Sequence, residues 1–478
     1  MQRGWITIIV VVFVGLLAGS HALAQSDSAT VTHGPLSGEV TSSSGVLWAR
    51  ASGEGQLVFE LASDADFATI LQSAEIAVDA SSDFTGEVTL EGLEAATDYY
   101  YRVAVAESPG EARMGQFKTA PAADSPSAFS FVFGACLGGQ GYCRDPQTGW
   151  QIFSTMADQA PDFFILTGDG IYSGSACPTD QNQNVPGAES PVSDLAGYYS
   201  RYRYHLEDSH YSAFLAQTPI YVSWDDHEIM DNFSGVQMRA INPQRYAEGR
   251  KAFFDYWPLQ GDGASDGRIY RQFEYGAGAE FFILDTRSYR DPNVNWDPSP
   301  VDGKPKTMLG AEQFAWLTEG LSNSESTWKF IISSVPLSYP TGFPQPQVDG
   351  RDGWANGPDP SGFETELMRL LFYIESNDIK NVVFLTGDAH WPYAISYDPD
   401  MDGQANFYEL SSSPMSAIPL APGTPDQTFN PTVLYAEGEF RGTLFNFGQI
   451  SVADDGALTF RIVQRDGEEK YRLELTPQ

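Results

Sequence analysis

Four apolar runs in this chain end in side chains that bind metal ions. SFVFGAC stops at Cys136, DFFILTGDGIY carries Asp169 and Tyr172, PIYVSWDDHE carries Asp225, Asp226 and His227, and NVVFLTGDAH carries Asp388 and His390. Thiolate, carboxylate, phenolate and imidazole together form a set of metal ligands. Taken singly, such residues read as turn, cap or core positions. Their joint placement after four strand-like runs points to one site, because ligands gather at the carboxyl ends of strands in α/β sheets. Gly168 and Gly387 precede Asp169 and Asp388 and let the chain turn sharply there. So many acids in one pocket repel each other unless cations neutralise them.

The elements that must position these residues fall into two groups. From Thr32 to about Thr119, short alternating runs such as SGVLWARAS, GQLVFELAS and TDYYYRVAVA predict an antiparallel β-sandwich of immunoglobulin or fibronectin type. Beyond Ser127, near-continuous apolar strands alternate with helical periodicity in TGWQIFSTMADQ, GAEQFAWLTEGL and FETELMRLLFYIESND, the pattern of a sheet buried on both faces. The tail from Gly448 returns to hairpins that close or flank that sheet. The boundaries read as 1–24 leader, 25–120 sandwich, 121–127 linker (PAADSPS) and 128–478 α/β domain.

The leader MQRGWITIIVVVFVGLLAGSHALA has one basic residue, an apolar run too short to span a bilayer and a small-residue cleavage site, which predicts Sec-type export to a periplasm or the medium. The chain has 63 acidic against 27 basic residues, net −36, and loses one more positive charge, Arg3, with the leader. That balance argues against nucleic acid and anionic membranes as partners and predicts no stable membrane insertion. Of three cysteines, Cys143 and Cys177 lie in loop-like sequence and are the candidate disulfide pair, which leaves Cys136 as the unpaired thiol.

The ordered motifs GAC, GDGIY, WDDHE, DTRSYR and GDAH, preceded by a β-sandwich, resemble those of the PhoD-like alkaline phosphatases and phosphodiesterases, relatives of the purple acid phosphatases in the calcineurin-like metallophosphoesterase superfamily. The resemblance implies an α/β metallophosphoesterase-type layered sheet domain behind an immunoglobulin/fibronectin-type sandwich. It implies hydrolysis of small phosphate mono- or diesters by a monomer, through attack of a metal-activated hydroxide. Fe3+ and Ca2+ are the cofactors it suggests. Cys136 and Tyr172 match iron ligands, and Asp169 matches the carboxylate that bridges two metals. Asp225, Asp226, Asp388 and His390 complete the expected metal set, with carboxylates at 226 and 388 where relatives carry asparagine and histidine. His227 matches the proton donor to the departing alkoxide. Arg287 and Arg290 of DTRSYR are candidate phosphate clamps. Asn232 and Trp354, the latter in the Gly-rich stretch DGRDGWANGP, are candidate substrate contacts. The stretch Ser333-Ser334-Val335-Pro336 lies where purple-type relatives place a further histidine ligand.

Two rival functions stand beside this one: a calcium-stabilised surface or binding protein with a vestigial metal site, and a phospholipase D-like lipid phosphodiesterase, which the negative charge disfavours. Residues 398–409, DPDMDGQANFYE, match an EF-hand loop pattern. Their flanks read as strands, so Asp398 to Gly403 is expected to form a hairpin turn and Glu409 to belong to a strand, with structural calcium on the clustered turn carboxylates as the alternative.

Overall fold

The computed structural model describes residues 29–108, 110–178, 184–259, 267–341, 352–356 and 361–478; the expected leader at 1–24 lies outside them. Two large sheets face one another. The first runs, edge to edge, through Glu469–Leu475, Leu458–Gln464, Asn446–Val452, Phe129–Gly134, Phe163–Leu166, Ile220–Val222, Val31–Gly38, Ser44–Ala51 and Thr85–Glu91. The second orders Arg271–Tyr275, Ala279–Ile283, Trp328–Ser333, Val382–Thr386, Phe407–Ser411, Tyr393–Tyr397 and Pro431–Ala436.

Alternation along each strand explains the layering. Phe129, Phe131 and Phe133 point into the space between the sheets, whereas Val132 points outward; Phe163 and Ile165 divide in the same way from Phe164 and Leu166. From the opposite sheet, Phe281 and Phe330 meet them: Phe131 lies edge-on to Phe281 at 5.2 Å and to Phe330 at 5.4 Å. The outward faces are covered by helices, Leu195–Leu206, Ser209–Leu215 and Pro243–Tyr256 on the first sheet and Gly310–Asn323 and Glu364–Ser376 on the second. Both faces of the central strands are therefore buried, the condition that makes their sequences apolar throughout.

The amino-terminal module is a sandwich of the strands Ile70–Val78, Gly55–Ala62, Asp98–Val105 and Arg113–Lys118 over Val31–Gly38, Ser44–Ala51 and Thr85–Glu91. It is continuous with the rest of the molecule, because Val31–Gly38 pairs in parallel with Ile220–Val222 at Gly38 and Ile220. A β-carbon at Gly38 would lie 2.5 Å from both the Ile220 carbonyl and Pro258, so only glycine permits that approach. The expected linker is pinned as well: Ser125 O accepts from Ala277 N. The tail adds Asn446–Val452 antiparallel to Phe129–Gly134, extending the first sheet.

Parallel pairing sets where the chemistry collects. Phe129–Gly134, Phe163–Leu166 and Ile220–Val222 run parallel in one sheet, and Ala279–Ile283, Trp328–Ser333 and Val382–Thr386 run parallel in the other. Their carboxyl ends meet at a single edge of the layered body. Gly387 is the hinge of that meeting: a β-carbon there would lie 2.6 Å from Ala135 Cβ and 3.2 Å from both Ser334 O and Thr167 Oγ1.

Candidate metal centre

The residues following these strands leave regular geometry together. Cys136, Asp169, Asn232, Asp388 and His390 all have φ between 52° and 63°, the left-handed region that non-glycine residues seldom occupy. Each such residue costs about 1–3 kcal/mol and persists only where its surroundings fix it, as functional sites do. The fixing contacts are present. Leu137 N donates to Asp169 O at 2.9 Å, His227 N donates to Asp169 Oδ1 at 3.2 Å, Asn232 N donates to Asp226 Oδ2 at 2.6 Å, and His390 N donates to Ser413 Oγ at 2.8 Å.

Asp169 is the hub. Ligand atoms of Cys136, Asp169 and His390 lie within 4.8 Å of one another; so do those of Asp169, Asp225, Asp226 and Asp388, and those of Asp169, Asp226 and His227. Cys136 Sγ lies 3.7 Å from Asp169 Oδ2. The Tyr172 hydroxyl lies 3.1 Å from His390 Nε2, and its ring stacks on His227. His390 Nδ1 faces the Ile418 carbonyl at 2.6 Å, an acceptor only, so the proton sits on Nδ1 and Nε2 offers a lone pair to the site.

The electrostatics show what these groups lack. Burial, then the Asp169 and Asp388 charges, push the Cys136 thiol well above its ordinary value. Burial, then Asp226 and Asp225, do the same to the Asp169 carboxyl, and burial followed by Asp225 raises Asp388. Burial raises Asp225 to about 6 against the pull of Arg287, and burial lowers His390 to about 4, leaving it neutral. Among the described residues, Asp225 Oδ2, Asp226 Oδ1, Asp388 Oδ2 and His227 Nδ1 are buried with no hydrogen-bond partner. Buried oxygens without donors are costly, and a cation is the group that satisfies several at once. The donor set therefore fits bound metal: sulfur, phenol and imidazole on one side of Asp169, carboxylates on the other.

Comparison with known proteins follows the same line. Residues 131–452 match the family model described as PhoD-like phosphatase, and residues 18–121 match that of the PhoD-like phosphatase N-terminal domain. The chain belongs to the PhoD-like phosphatase family. It is 29% identical over 412 residues to alkaline phosphatase D of Bacillus subtilis (strain 168), spanning 80% of this chain and 68% of that protein. Its fold is similar to the solved structure of PhoD, with a TM-score of 0.73 at 22% identity over 93% of this chain and 92% of that one. It is also similar to a purple acid phosphatase isolated from yellow lupin (Lupinus luteus) seeds, with a TM-score of 0.61 at 12% identity over 92% and 74% of the two chains. This PhoD-like chain is thus a phosphatase, built as an all-β module continuous with a layered metallophosphoesterase-type domain.

Several expected site residues sit elsewhere than the sequence suggested. Arg287 and Arg290, expected as phosphate clamps, are wholly buried. Arg287 forks onto Asp352 and reaches Asp225, and Arg290 Nη2 contacts Asn293 and the Asp352 carbonyl. Arg287 serves buried carboxylates, whereas Arg290 is held through Nη2, and among the described residues its Nε and Nη1 are buried without a hydrogen-bond partner. Trp354, expected as a substrate wall, is also wholly buried and donates from Nε1 to Ser333 Oγ, so its ring belongs to the core beneath the second sheet. Positions 349–351 and 357–358 of the Gly-rich stretch around it lie outside the described residues. Asn232 is half-buried, and its backbone rather than its amide holds Asp226. Cys143 and Cys177 are joined in a disulfide, and Cys136 is the free, buried thiol.

Four further residues shape the cluster. Glu228 accepts from Asp225 N at 2.9 Å and Gly170 N at 2.6 Å, tying two strand ends together. Asp285 Oδ1 accepts from Trp224 Nε1, Arg287 N and Ser288 N, which makes DTRSYR a loop-shaping motif. Ser334 Oγ donates to Asp225 Oδ1 at 2.7 Å. Asp352 anchors both arginines. Glu228, Asp285 and Asp352 lie inside WDDHE, DTRSYR and DGRDGWANGP, but no local pattern pairs Asp352 with the two arginines.

The EF-hand pattern dissolves in three dimensions. Asp398, Asp400 and Asp402 cluster in a turn, but Glu409 lies buried in the strand Phe407–Ser411. Its carboxylate accepts from Leu337 N at 2.8 Å, Thr386 Oγ1 at 3.1 Å and the hydroxyls of Tyr393 and Tyr397 at 2.6 and 2.5 Å.

Proposed function

We propose that this chain is an exported, metal-dependent phosphoesterase that hydrolyses small phosphate mono- or diesters. The observation that carries the reading is the sharing of Asp169 between two ligand groups of different chemistry, one with Cys136 and His390 and one with Asp225, Asp226 and Asp388. The first, joined by Tyr172, suits ferric iron; the second, all carboxylate, suits calcium. When bound, such cations lower the pKa of water and neutralise charge on phosphate oxygens.

The chain's own groups supply orientation and the proton. His227 borders the carboxylate group with its side chain one-tenth exposed, and its Nε2 lies 3.9 Å from Asp226 Oδ2 and 3.7 Å from Asp231 Oδ1. The Tyr172 face fixes the plane of its ring, which leaves it suited to donate a proton to the departing alkoxide. Gly139 packs on the Tyr172 ring, where a β-carbon would lie 2.3 Å from its carbons, so the phenol is held from that side as well.

Turnover of nitrophenyl phosphate and bis-nitrophenyl phosphate by the purified chain, before and after chelation and with calcium restored, tests the reading. Activity that falls on chelation and returns with calcium is expected, and the ratio of the two rates assigns the ester class. Activity indifferent to chelation, in protein that metal analysis finds free of iron and calcium, overturns it.

A further inference from the structure

We propose that Arg287 is a resident counter-cation: it balances Asp225 and Asp226 when the carboxylate group is empty, and it opposes a divalent ion that binds them. The inference rests on the reading of that group as a cation site. Arg287 has no solvent exposure, yet three carboxylates surround its guanidinium. Nε meets Asp225 Oδ1 at 2.5 Å, Nη2 stands 3.6 Å from Asp226 Oδ1, Nη1 meets Asp352 Oδ1 at 2.8 Å, and Nη2 also bonds Asp352 Oδ2.

The two partners on the cluster side are held differently. Asp225 Oδ1 is satisfied by Arg287 and Ser334, whereas its Oδ2 and Asp226 Oδ1 are buried without a hydrogen bond among the described residues. Arg287 therefore lends Asp226 Oδ1 charge without a donor contact and leaves it open for a cation. A charge so placed acts with little solvent screening. Asp352 restrains the arginine from the far side: Asn293 Nδ2 donates to its Oδ1 at 2.9 Å, and Arg290 Nη2 donates to its carbonyl at 3.0 Å. The fork is thus shared between the cluster and an anchor and does not collapse onto the cluster. A guanidinium suits this duty because it keeps its charge when buried.

The consequence is a trade. With a neutral donor at 287, the metal-free protein loses its internal balance, while an entering divalent ion meets less opposing charge. The test uses Arg287→Gln and Arg287→Lys in the full chain, with thermal midpoints measured after chelation and at saturating calcium, and calcium affinity of the chelated protein measured by calorimetry. Arg287→Gln is expected to lower the midpoint of the chelated form more than that of the calcium-saturated form and to tighten calcium binding by about tenfold or more. Arg287→Lys, which keeps the charge, is expected to bind calcium as the parent does. A chelated Arg287→Gln protein that unfolds outright and refolds with calcium supports the proposal. Equal losses in both forms, calcium binding that weakens, or a chain that does not fold in either state assigns Arg287 a purely structural role and overturns it. If the parent chain itself takes up no calcium, the cation-site reading fails, and this inference fails with it.

Discussion

The Tyr172 ring stacks on the His227 imidazole with centroids 4.1 Å apart and 27° between planes, while the Tyr172 hydroxyl points the other way, 3.1 Å from His390 Nε2. One side chain thereby orients the expected proton donor with its face and joins the thiol-bearing half of the centre with its oxygen. The two duties separate on mutation. Tyr172→Phe keeps the stack and removes the phenol, so it is expected to shift and weaken the visible charge-transfer band, leaving the thiolate contribution, and to lower iron content while the fold stays intact. Absorption spectra and metal analysis of the purified variant check this; an unchanged band would remove Tyr172 from the iron shell.

Asp169 is shared by both ligand groups, so its loss should be felt by both cations. Asp169→Asn is expected to reduce turnover by at least about 10³-fold and to lower iron and calcium together. Cys136→Ser, on one side only, is expected to lower iron and spare calcium. Metal analysis of both variants after identical purification decides between shared and separate sites.

Metal removal should also change how stability responds to pH. Asp225 is raised to about 6 and Glu228 to about 8, chiefly by burial, and Asp169 and Asp388 are raised as well. These carboxyls hold protons more tightly in the folded chain than in the unfolded one, where they titrate near 4. The folded state thus binds more protons across roughly pH 4 to 8, and the stability of the chelated protein falls as pH rises through that window. Calcium-saturated protein, with the same surface but a neutralised cluster, should lose this slope. Thermal midpoints of both forms across that window measure the difference, and parallel curves would contradict it.

How far the sequence revealed this arrangement depends on what signals each part. The strand-end motifs were readable because a buried strand followed at once by acids and histidine departs sharply from its surroundings. The helix Leu195–Leu206 escaped the periodicity reading because its buried face is built of Tyr198, Tyr199, Tyr202, Tyr204 and Arg201, whose polar tips mask an apolar stripe. Its start was marked all the same, by Asp194, which accepts from Gly197 N as an N-cap. Arg287 and Arg290 look like anion clamps in sequence; their partner Asp352 is 65 residues from Arg287, and no local pattern reports such a pairing. Glu409 fell at the last position of a calcium-loop pattern, and only the register of its strand shows that it faces inward.

Glu409 joins segments that carry the site, since Leu337 follows the strand Trp328–Ser333, Thr386 precedes Gly387 and Asp388, and Tyr393 follows His390. Replacing it with leucine leaves a backbone amide and two buried phenols without their acceptor, a loss of about 3 kcal/mol or more. Glu409→Gln keeps an acceptor of the same shape and should restore most of that stability. Denaturant unfolding of the two variants checks the order, and calcium affinity should follow it, because Asp388 moves with Thr386.

The amino-terminal module should prove inseparable from the phosphatase body. Trp48 is buried against Tyr256 and donates from Nε1 to Asp255 O at 2.8 Å; Asp83 takes Arg50 from its own module and Arg203 and Tyr256 from the other; Glu39 pairs with Arg271. Deleting residues 1–120 would strip these partners and bare the strand Ile220–Val222, one connection from Asp225 and Asp226, as an open edge prone to pairing with other chains. The truncated chain is therefore expected to aggregate, and Gly38→Ala, which forces a β-carbon against Ile220 O, to weaken the same seam in the full-length protein. Size-exclusion chromatography of the truncation and thermal unfolding of Gly38→Ala measure this. A soluble, monomeric 121–478 fragment with undiminished turnover would mean that the two modules share a sheet without depending on it.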